Sequence, residues 1–227
     1  MLEVLSSKRV VGTFVKLPAL ESIELCAASL DFCVVDHEHS QLAEAEILRL
    51  VRHAAALGFP AIVRIPEVDR GLVNRLLEAG AAGIQLSSVR RVAELQALRD
   101  AARYAPAGRR SISLAHPAAR YGATPLREYV AGAAPPLLVA QLETRETDDS
   151  LDELCRAGAD VIFLGLTDLL VDCGLDEDAA RERADAIAAA AERAGVPLGG
   201  FGNEERFRYA VVSSDVALLR EAVAGVR

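Results

Sequence analysis

Side chains that could bind a metal ion or move a proton stand directly after short apolar runs of this sequence. The run Asp36–His39 follows one apolar segment and Arg64 lies near the end of the next. Gln141 and Glu143 end a later segment, and Asp168 follows another. Carboxylates are preferred ligands of hard divalent cations, arginine is a permanent cation, and histidine titrates near neutral pH. These residue types predict a divalent cation acting on a carboxylate-bearing substrate.

Each of these residue types could contribute a different part of such a reaction. Glu143 and Asp168 could supply two carboxylates and leave coordination positions open for substrate and water. Such an open site can chelate a 2-keto acid and act as a Lewis acid on developing enolate charge. Arg64 could stabilise the same oxygen, and a histidine could move a proton directly or through metal-bound water. Structural interpretations stay open, because Asp168 could cap a helix and Arg64 could form an ion pair at the rim.

The elements that must position these residues are eight short β-branched runs that alternate with Ala- and Leu-rich helical stretches. Several runs are continuously apolar, as expected of parallel strands buried on both faces. Four predicted helices are each followed by a glycine suited to a helix C-terminus. The predicted strands are Gly12–Val15, Phe32–Asp36, Ala61–Ile65, Gly83–Ser87, Leu137–Gln141, Val161–Gly165, Pro197–Phe201 and Tyr209–Ser213, and these helices are Ala43–Leu57, Arg70–Ala79, Ser150–Ala157 and Asp176–Ala194.

This alternation predicts an α/β protein of the (β/α)8 TIM-barrel class, in which functional residues gather at the C-terminal ends of the strands. An open doubly wound sheet is the alternative. No G-x-G-x-x-G follows the first strand, so nothing supports a dinucleotide site. Ala105–Thr124 fits the repeat poorly and is interpreted as an irregular excursion. Only about five residues, Asn203–Phe207, separate the last two predicted strands, where a helix is expected.

Composition narrows the class of protein further. The 227 residues include 25 Lys and Arg against 33 Asp and Glu, a net charge of −8, and 52% are hydrophobic. No linker or composition shift appears, so we expect one domain over residues 1–227. The excess of acidic over basic residues argues against nucleic-acid binding. The sequence has no uncharged apolar stretch of about 18 residues, so no membrane span is predicted. The first 15 residues lack a signal-peptide pattern, so a cytoplasmic location is expected. None of the four cysteines forms a C-x-x-C pair, which argues against a zinc knuckle or a thioredoxin-type motif.

Five segments of the sequence together resemble the class II pyruvate aldolases, the HpcH/HpaI aldolase family of the aldolase/citrate-lyase superfamily. They occur in the family's order and at similar spacings, and the resemblance covers Val11 to about Cys173. The segments are DFCVVDHEHS (Asp31–Ser40), AIVRIP (Ala61–Pro66), LLEAGA (Leu76–Ala81), QLETRE (Gln141–Glu146) and GLTDL (Gly165–Leu169).

The resemblance implies roles for individual residues. Glu143 and Asp168 match the metal-binding carboxylates of the family, and the implied cofactor is a divalent ion, Mg²⁺, Mn²⁺ or Co²⁺. Gln141 matches a residue beside the metal that positions substrate or water. Arg64 matches the arginine that stabilises the pyruvate enolate, and His39 matches the catalytic acid/base histidine.

Further implied roles are less closely matched. Glu78 stands where the family commonly has an aspartate that pairs with the histidine. The backbone from Gly165 through Thr167 to Asp168 is expected to hold the substrate carboxylate. The sequence departs from the family at Leu166, which replaces a proline, and at Leu86–Val89, which replaces a V-P-M-V-like run. Ser87 in that run adds a hydroxyl near the rim and is an expected substrate contact.

The implied function is cleavage of a 4-hydroxy-2-keto acid to pyruvate and an aldehyde, or the reverse aldol addition, through a metal-bound pyruvate enolate. The implied assembly is a homo-oligomer, a trimer or hexamer. The alternative is a citrate-synthase-like condensing enzyme of siderophore biosynthesis on the same fold. Lys16 near the end of the first strand keeps a Schiff-base mechanism open, and Gly199–Asn203 keeps a phosphate-binding barrel open.

Overall fold

Eight parallel strands close into one barrel in the computed structural model, which describes Leu5 and residues 7–226. Each strand pairs with the next along the chain, and β1 pairs with β8. The TIM-barrel prediction is thereby confirmed, and the open-sheet alternative is wrong. The strands are β1 (Val10–Val15), β2 (Phe32–Asp36), β3 (Ala61–Ile65), β4 (Gly83–Leu86), β5 (Leu137–Leu142), β6 (Val161–Leu164), β7 (Leu198–Phe201) and β8 (Tyr209–Ser214).

Residues 1–4, 6 and 227 of the predicted 1–227 domain lie outside the described residues, and five of them belong to the first 15 residues that were compared with a signal peptide. Among the residues that are described, no helix is both long and apolar enough to cross a bilayer. All four cysteines are free and buried.

Helices follow most of the strands and pack against the outside of the barrel. In the third helix, Leu72, Val73, Leu76 and Leu77 recur at helical spacing and are buried. The Asp69 side chain accepts the Leu72 N–H and caps its start. The helices are α1 (Leu20–Ala27), α2 (Glu44–Ala56), α3 (Arg70–Ala79), α4 (Val92–Ala102), α5 (Leu126–Gly132), α6 (Leu151–Arg156), α7 (Leu166–Asp172), α8 (Glu177–Ala194) and α9 (Asp215–Ala224), with a 3-10 segment at Pro117–Gly122 inside the irregular excursion.

Side chains along each strand alternate between the inside of the barrel and the layer under the helices. On β2 and β3, Val34 and Ile62 belong to the inner apolar cluster, whereas Val35 and Val63 belong to the outer one. The next inward positions towards the C-terminal ends are polar: Asp36 and Arg64. The same alternation therefore builds an apolar interior and ends it in a polar layer.

Within the described residues, no helix lies between β7 and β8. The Phe207 side chain is fully buried and packs against Gly200, where an added Cβ would collide with its ring. A single aromatic side chain thus fills part of the space that a helix occupies beside the other strands. The short connection expected from the sequence is confirmed.

We expect Gly83→Ala to destabilise the barrel by roughly 1–3 kcal/mol, because overpacking a closed core forces side chains or backbone to shift. An added Cβ would collide with the Leu137 carbonyl oxygen and come within 2.7 Å of the Leu137 Cβ. The measurement is urea unfolding of both proteins. Gly132→Ala is the matched control, because no atom lies within 4 Å of its added Cβ; equal midpoints for the two variants would contradict the expectation.

Candidate active site

The C-terminal ends of the strands form a polar opening that we call the barrel mouth. Lys16 follows β1, Asp36 ends β2, and Arg64 lies near the end of β3. Ser87 follows β4 and Glu143 follows β5. Strand pairing places Asp36 directly beside Arg64, so neighbouring strands bring opposite charges into contact.

Asp36 is fully buried and is surrounded by donors. Arg64 binds it with two hydrogen bonds, Nε to Oδ1 at 2.9 Å and Nη2 to Oδ2 at 2.6 Å. The Lys16 ammonium lies 2.8 Å from Oδ2. The backbone N–H groups of Glu38 and His39 also donate to Oδ1. Burial alone would raise the pKa of Asp36, but these bonds and the nearby positive charge hold the pKa well below its usual range.

Arg64 is itself almost completely buried and is held from a second side. The Phe14 ring centroid lies 4.6 Å from the guanidinium carbon, a cation–π distance. Because Asp36 fixes the fork of the guanidinium and Phe14 covers it, Arg64 presents a preorganised positive charge to the mouth.

Lys16 connects three segments of the chain. Its ammonium pairs with Asp36 and donates to the His39 carbonyl oxygen at 3.1 Å. The backbone N–H groups of Lys16 and Leu17 donate to the Asp215 carboxylate, at 3.0 and 3.1 Å, where α9 begins. The end of β1 is thereby tied both to the turn that carries His39 and to the C-terminal helix.

The His39 imidazole is at the mouth and its side chain is 56% exposed. Its Nε2 lies 3.7 Å from Glu38 Oε2. Within the described chain Glu78 makes no hydrogen bond or ion pair with His39, and the pairing expected from the sequence stays a prediction. Glu78 lies near the end of α3, about 12 Å along the helix axis from its first residue, and accepts a hydrogen bond from Asn74 at 3.2 Å.

Glu143 lies on the opposite side of the mouth in a network of uncharged donors. The backbone N–H and the hydroxyl of Ser88 both donate to Oε1, each at 2.7 Å. The Gln141 amide donates to Oε2, and Gln85 donates to Gln141 Oε1 at 2.6 Å. Ser88 has a φ of 50°, which non-glycine residues rarely adopt. Gly165 leaves space for Glu143, because an added Cβ would overlap Oε2.

The electrostatics of Glu143 differ from those of Asp36. Burial raises the pKa of Glu143, the nearby Asp168 carboxylate raises it further, and the bonds from Gln141 and Ser88 oppose this. Asp168 is exposed in the first turn of α7, next to the exposed Thr167. Within the described residues its carboxylate has no hydrogen bond or ion pair. Two carboxylates thus lie close together without a cationic partner.

This donor set fits a divalent cation with an incomplete protein shell. Among residues 5 and 7–226, no group of three or more His, Cys, Asp and Glu side chains has the arrangement of a metal site. Mg²⁺ is commonly held by only one or two carboxylates together with water and substrate oxygens. Glu143 and Asp168 would supply those two carboxylates.

Several contacts at the mouth were not predicted from the sequence. No role was assigned to Asp36 or Glu38, and Lys16 was considered only for a Schiff base. A signal for Asp36 was available, because Asp36 and Arg64 lie near the ends of neighbouring predicted strands. Nothing in the sequence indicated the backbone conformation that brings Ser88 onto Glu143.

The chain is similar in sequence to known proteins. The HpcH/HpaI aldolase/citrate lyase family matches residues 11–207. A hydroxypyruvate/pyruvate aldolase of Rhizorhabdus wittichii is 32% identical over 94% of this chain and 90% of its own length. A 4-hydroxy-2-oxovalerate aldolase of Novosphingobium aromaticivorans is also 32% identical, over 73% of this chain and 63% of its own.

Solved structures share the fold. An HpcH/HpaI aldolase of Desulfitobacterium hafniense has a TM-score of 0.86 and 28% identity, covering 97% of this chain and 92% of its own. The citrate synthase SbnG has a TM-score of 0.84 and 22% identity, covering 97% and 92%. The citrate lyase beta subunit of M. tuberculosis, solved with oxaloacetate and magnesium, has a TM-score of 0.58 and 18% identity, covering 92% of each chain.

We expect Asp36→Asn to lower the free energy of unfolding by about 3–5 kcal/mol at neutral pH, because it leaves two buried or half-buried cations unpaired. The folded-state pKa of Asp36 is below its unfolded value. Its stabilising contribution is therefore fully present above about pH 4 and is lost as the pH falls towards the folded value. Urea unfolding of variant and parent should differ by a constant amount from about pH 5 to 8, and by less below about pH 4.

The matched control for that measurement is Asp31→Asn. Asp31 pairs with the exposed Lys8 at 2.9 Å, and exposed ion pairs contribute about 1 kcal/mol or less. An Asp36→Asn variant as stable as the Asp31→Asn variant would show that the buried cluster is not a major source of stability.

Proposed function

The chain belongs to the HpcH/HpaI aldolase/citrate lyase family, and we propose that it is a class II aldolase, a carbon–carbon lyase. Its substrate is a 4-hydroxy-2-keto acid, which it cleaves to pyruvate and an aldehyde, or forms by the reverse aldol addition. The observation that carries this proposal is the division of the mouth: Asp36 fixes the Arg64 cation after β3, whereas the Glu143 carboxylate after β5 is bonded to uncharged donors and lies near the Asp168 carboxylate.

The cofactor of this reaction is a divalent cation held by Glu143 and Asp168. When bound, it would act as a Lewis acid on the keto oxygen of the substrate. Magnesium accompanies oxaloacetate in the citrate lyase beta subunit that shares this fold. Mg²⁺, Mn²⁺ and Co²⁺ are the candidate ions for this chain.

The chain's own residues supply charge and proton transfer. Arg64 stabilises the negative charge that develops on the enolate oxygen as the C3–C4 bond breaks. His39 takes the proton of the 4-hydroxyl group, directly or through a water molecule, and return of a proton to the enolate carbon C3 then gives pyruvate. Gln141, bonded to Glu143, and Ser87 border the substrate. Gly165 and Thr167, at the start of α7, stay predicted contacts of the substrate carboxylate.

The contacts of Lys16 favour the metal-dependent mechanism over a Schiff-base mechanism. A nucleophilic lysine must be available as a neutral amine. The Lys16 ammonium instead pairs with Asp36 and donates to the His39 carbonyl oxygen. Its contacts support a role in fixing the mouth.

A citrate-synthase-like condensing reaction is the alternative on the same fold. The TM-score of 0.84 to the citrate synthase SbnG shows only that the barrel is shared, and no contact at the mouth favours condensation over cleavage. A homo-oligomer, trimer or hexamer, and a cytoplasmic location stay predictions. Exposed Leu219 and Val223 on α9 are apolar surface that a subunit contact would cover.

We expect chelator-treated protein to release pyruvate from 4-hydroxy-2-keto acids only after Mn²⁺, Mg²⁺ or Co²⁺ is added back. Glu143→Gln should lower this release by about 100-fold or more, because it removes a charged ligand of a catalytic cation. Pyruvate is measured with a coupled dehydrogenase, and cation binding by calorimetry.

The matched control is Glu146→Gln, since Glu146 lies three residues along the same loop and is exposed. It should retain activity within about twofold of the parent, as expected of a surface substitution. Release of pyruvate that persists without a cation would contradict the metal-dependent mechanism. Condensation with oxaloacetate, in the absence of any cleavage, would favour the alternative.

A further inference from the structure

We propose that Glu38, with one carboxylate oxygen fixed by Ser87, is the residue that positions the His39 imidazole for proton transfer. The inference rests on the proposed aldolase function and deepens it. Glu38 is a carboxylate that the structure brings to the mouth, whereas Glu78, which the sequence placed in this role, accepts a hydrogen bond from Asn74 within α3.

One oxygen of Glu38 is fixed. The Ser87 hydroxyl donates to Glu38 Oε1 at 2.7 Å. Ser87 is buried, and its Oγ is also 3.1 Å from the Ile65 carbonyl oxygen. The Glu38 side chain therefore spans the mouth from the end of β2 to the end of β4, past Arg64.

The other oxygen of Glu38 is buried and lacks a donor. Within the described part of the chain, Oε2 accepts no hydrogen bond. It lies 3.5 Å from Arg64 Nε and 3.7 Å from His39 Nε2. A buried carboxylate oxygen without a donor is costly, and a shift of the exposed imidazole by about 1 Å would bring Nε2–H within hydrogen-bond distance.

The backbone of His39 is already held, so its ring is the part left to orient. The His39 N–H donates to Asp36 at 3.2 Å and its carbonyl oxygen accepts from Lys16 at 3.1 Å. A hydrogen bond from Nε2–H to Glu38 would fix the tautomer and leave Nδ1 free to accept a proton. Such a partner is how proteins set the tautomer and direction of a working histidine.

The hydrogen bond from Ser87 to Glu38 depends on a residue at which this chain differs from the family. It belongs to the run Leu86–Val89, which departs from the V-P-M-V-like run of the resembling family. A proline has no hydroxyl and could not donate to Glu38. The Ser87 hydroxyl therefore supplies a contact that the family's common residue could not.

The kinetic test compares four variants of the full chain under identical metal loading. Glu38→Gln should lower kcat about 10- to 100-fold, with KM changed by less than about threefold, because general acid–base catalysis is lost while substrate binding is kept. Ser87→Ala should lower kcat by a similar factor and, because Ser87 also borders the substrate, is compared by kcat alone. Ser87→Thr, which keeps the hydroxyl, should restore most of kcat. Glu67→Gln is the matched control, since Glu67 is an exposed glutamate shortly after β3.

A double-mutant cycle separates positioning from a general structural effect. In a His39→Ala background, Glu38→Gln should lower kcat by no more than about twofold, because residues that act through one another are not additive. Equal effects of Glu38→Gln in both backgrounds would overturn the proposal. So would a Glu78→Gln variant that loses kcat while Glu38→Gln does not.

A readout that needs no turnover is the tautomer of His39, measured from its ring ¹⁵N shifts. We expect the Nε2–H form in the parent and in Ser87→Thr, and a mixture of tautomers in Glu38→Gln and Ser87→Ala. An unchanged tautomer in Glu38→Gln would reject the contact. If the parent itself neither cleaves keto acids nor exchanges pyruvate methyl protons with solvent, the proposed function fails, whereas the tautomer result still decides the Glu38 contact.

Discussion

The charge of one buried carboxylate organises the mouth of this barrel. Asp36 has no contact with solvent, yet it stays ionised because Arg64 and Lys16 bind it and two backbone N–H groups donate to it. Removing either cation from water without a partner would cost several kcal/mol. Asp36 thus allows two positive side chains to lie side by side, and it fixes the turn that carries His39.

The mouth is divided into two halves of opposite electrostatic character. On the side of β1 to β3, a carboxylate is saturated by cations that belong to the chain. On the side of β5 and β6, Glu143 is bonded only to uncharged donors and lies near a second carboxylate. In the mechanism we propose, the first half stabilises negative charge on a substrate, and the second binds a cation that the chain does not supply. A 2-keto acid has oxygen atoms that could contact both halves of the mouth.

The fold was predictable because its signals are local. Ala61–Ile65 and Arg70–Ala79 were predicted with the observed bounds, since a continuous apolar run and a helical apolar period are each read from neighbouring residues. The same alternation predicted Arg64 and Glu143 at one end of the barrel. The pairing of Glu78 with His39 rested on a family motif, because sequence order does not give the height of Glu78 along α3. Ser88 could not be found because its contact depends on an uncommon backbone conformation.

The hydrogen bonds from Lys16 and Leu17 to Asp215 join the two ends of the fold. Asp215 is the first residue of α9, which packs against β1 and β8. Without its carboxylate, the loop after β1 would lose two hydrogen bonds that hold the backbone of Lys16, whose ammonium pairs with Asp36. The C-terminal helix therefore helps to place a positive charge at the barrel mouth, although within the described residues it contributes no side chain there that contacts Asp36.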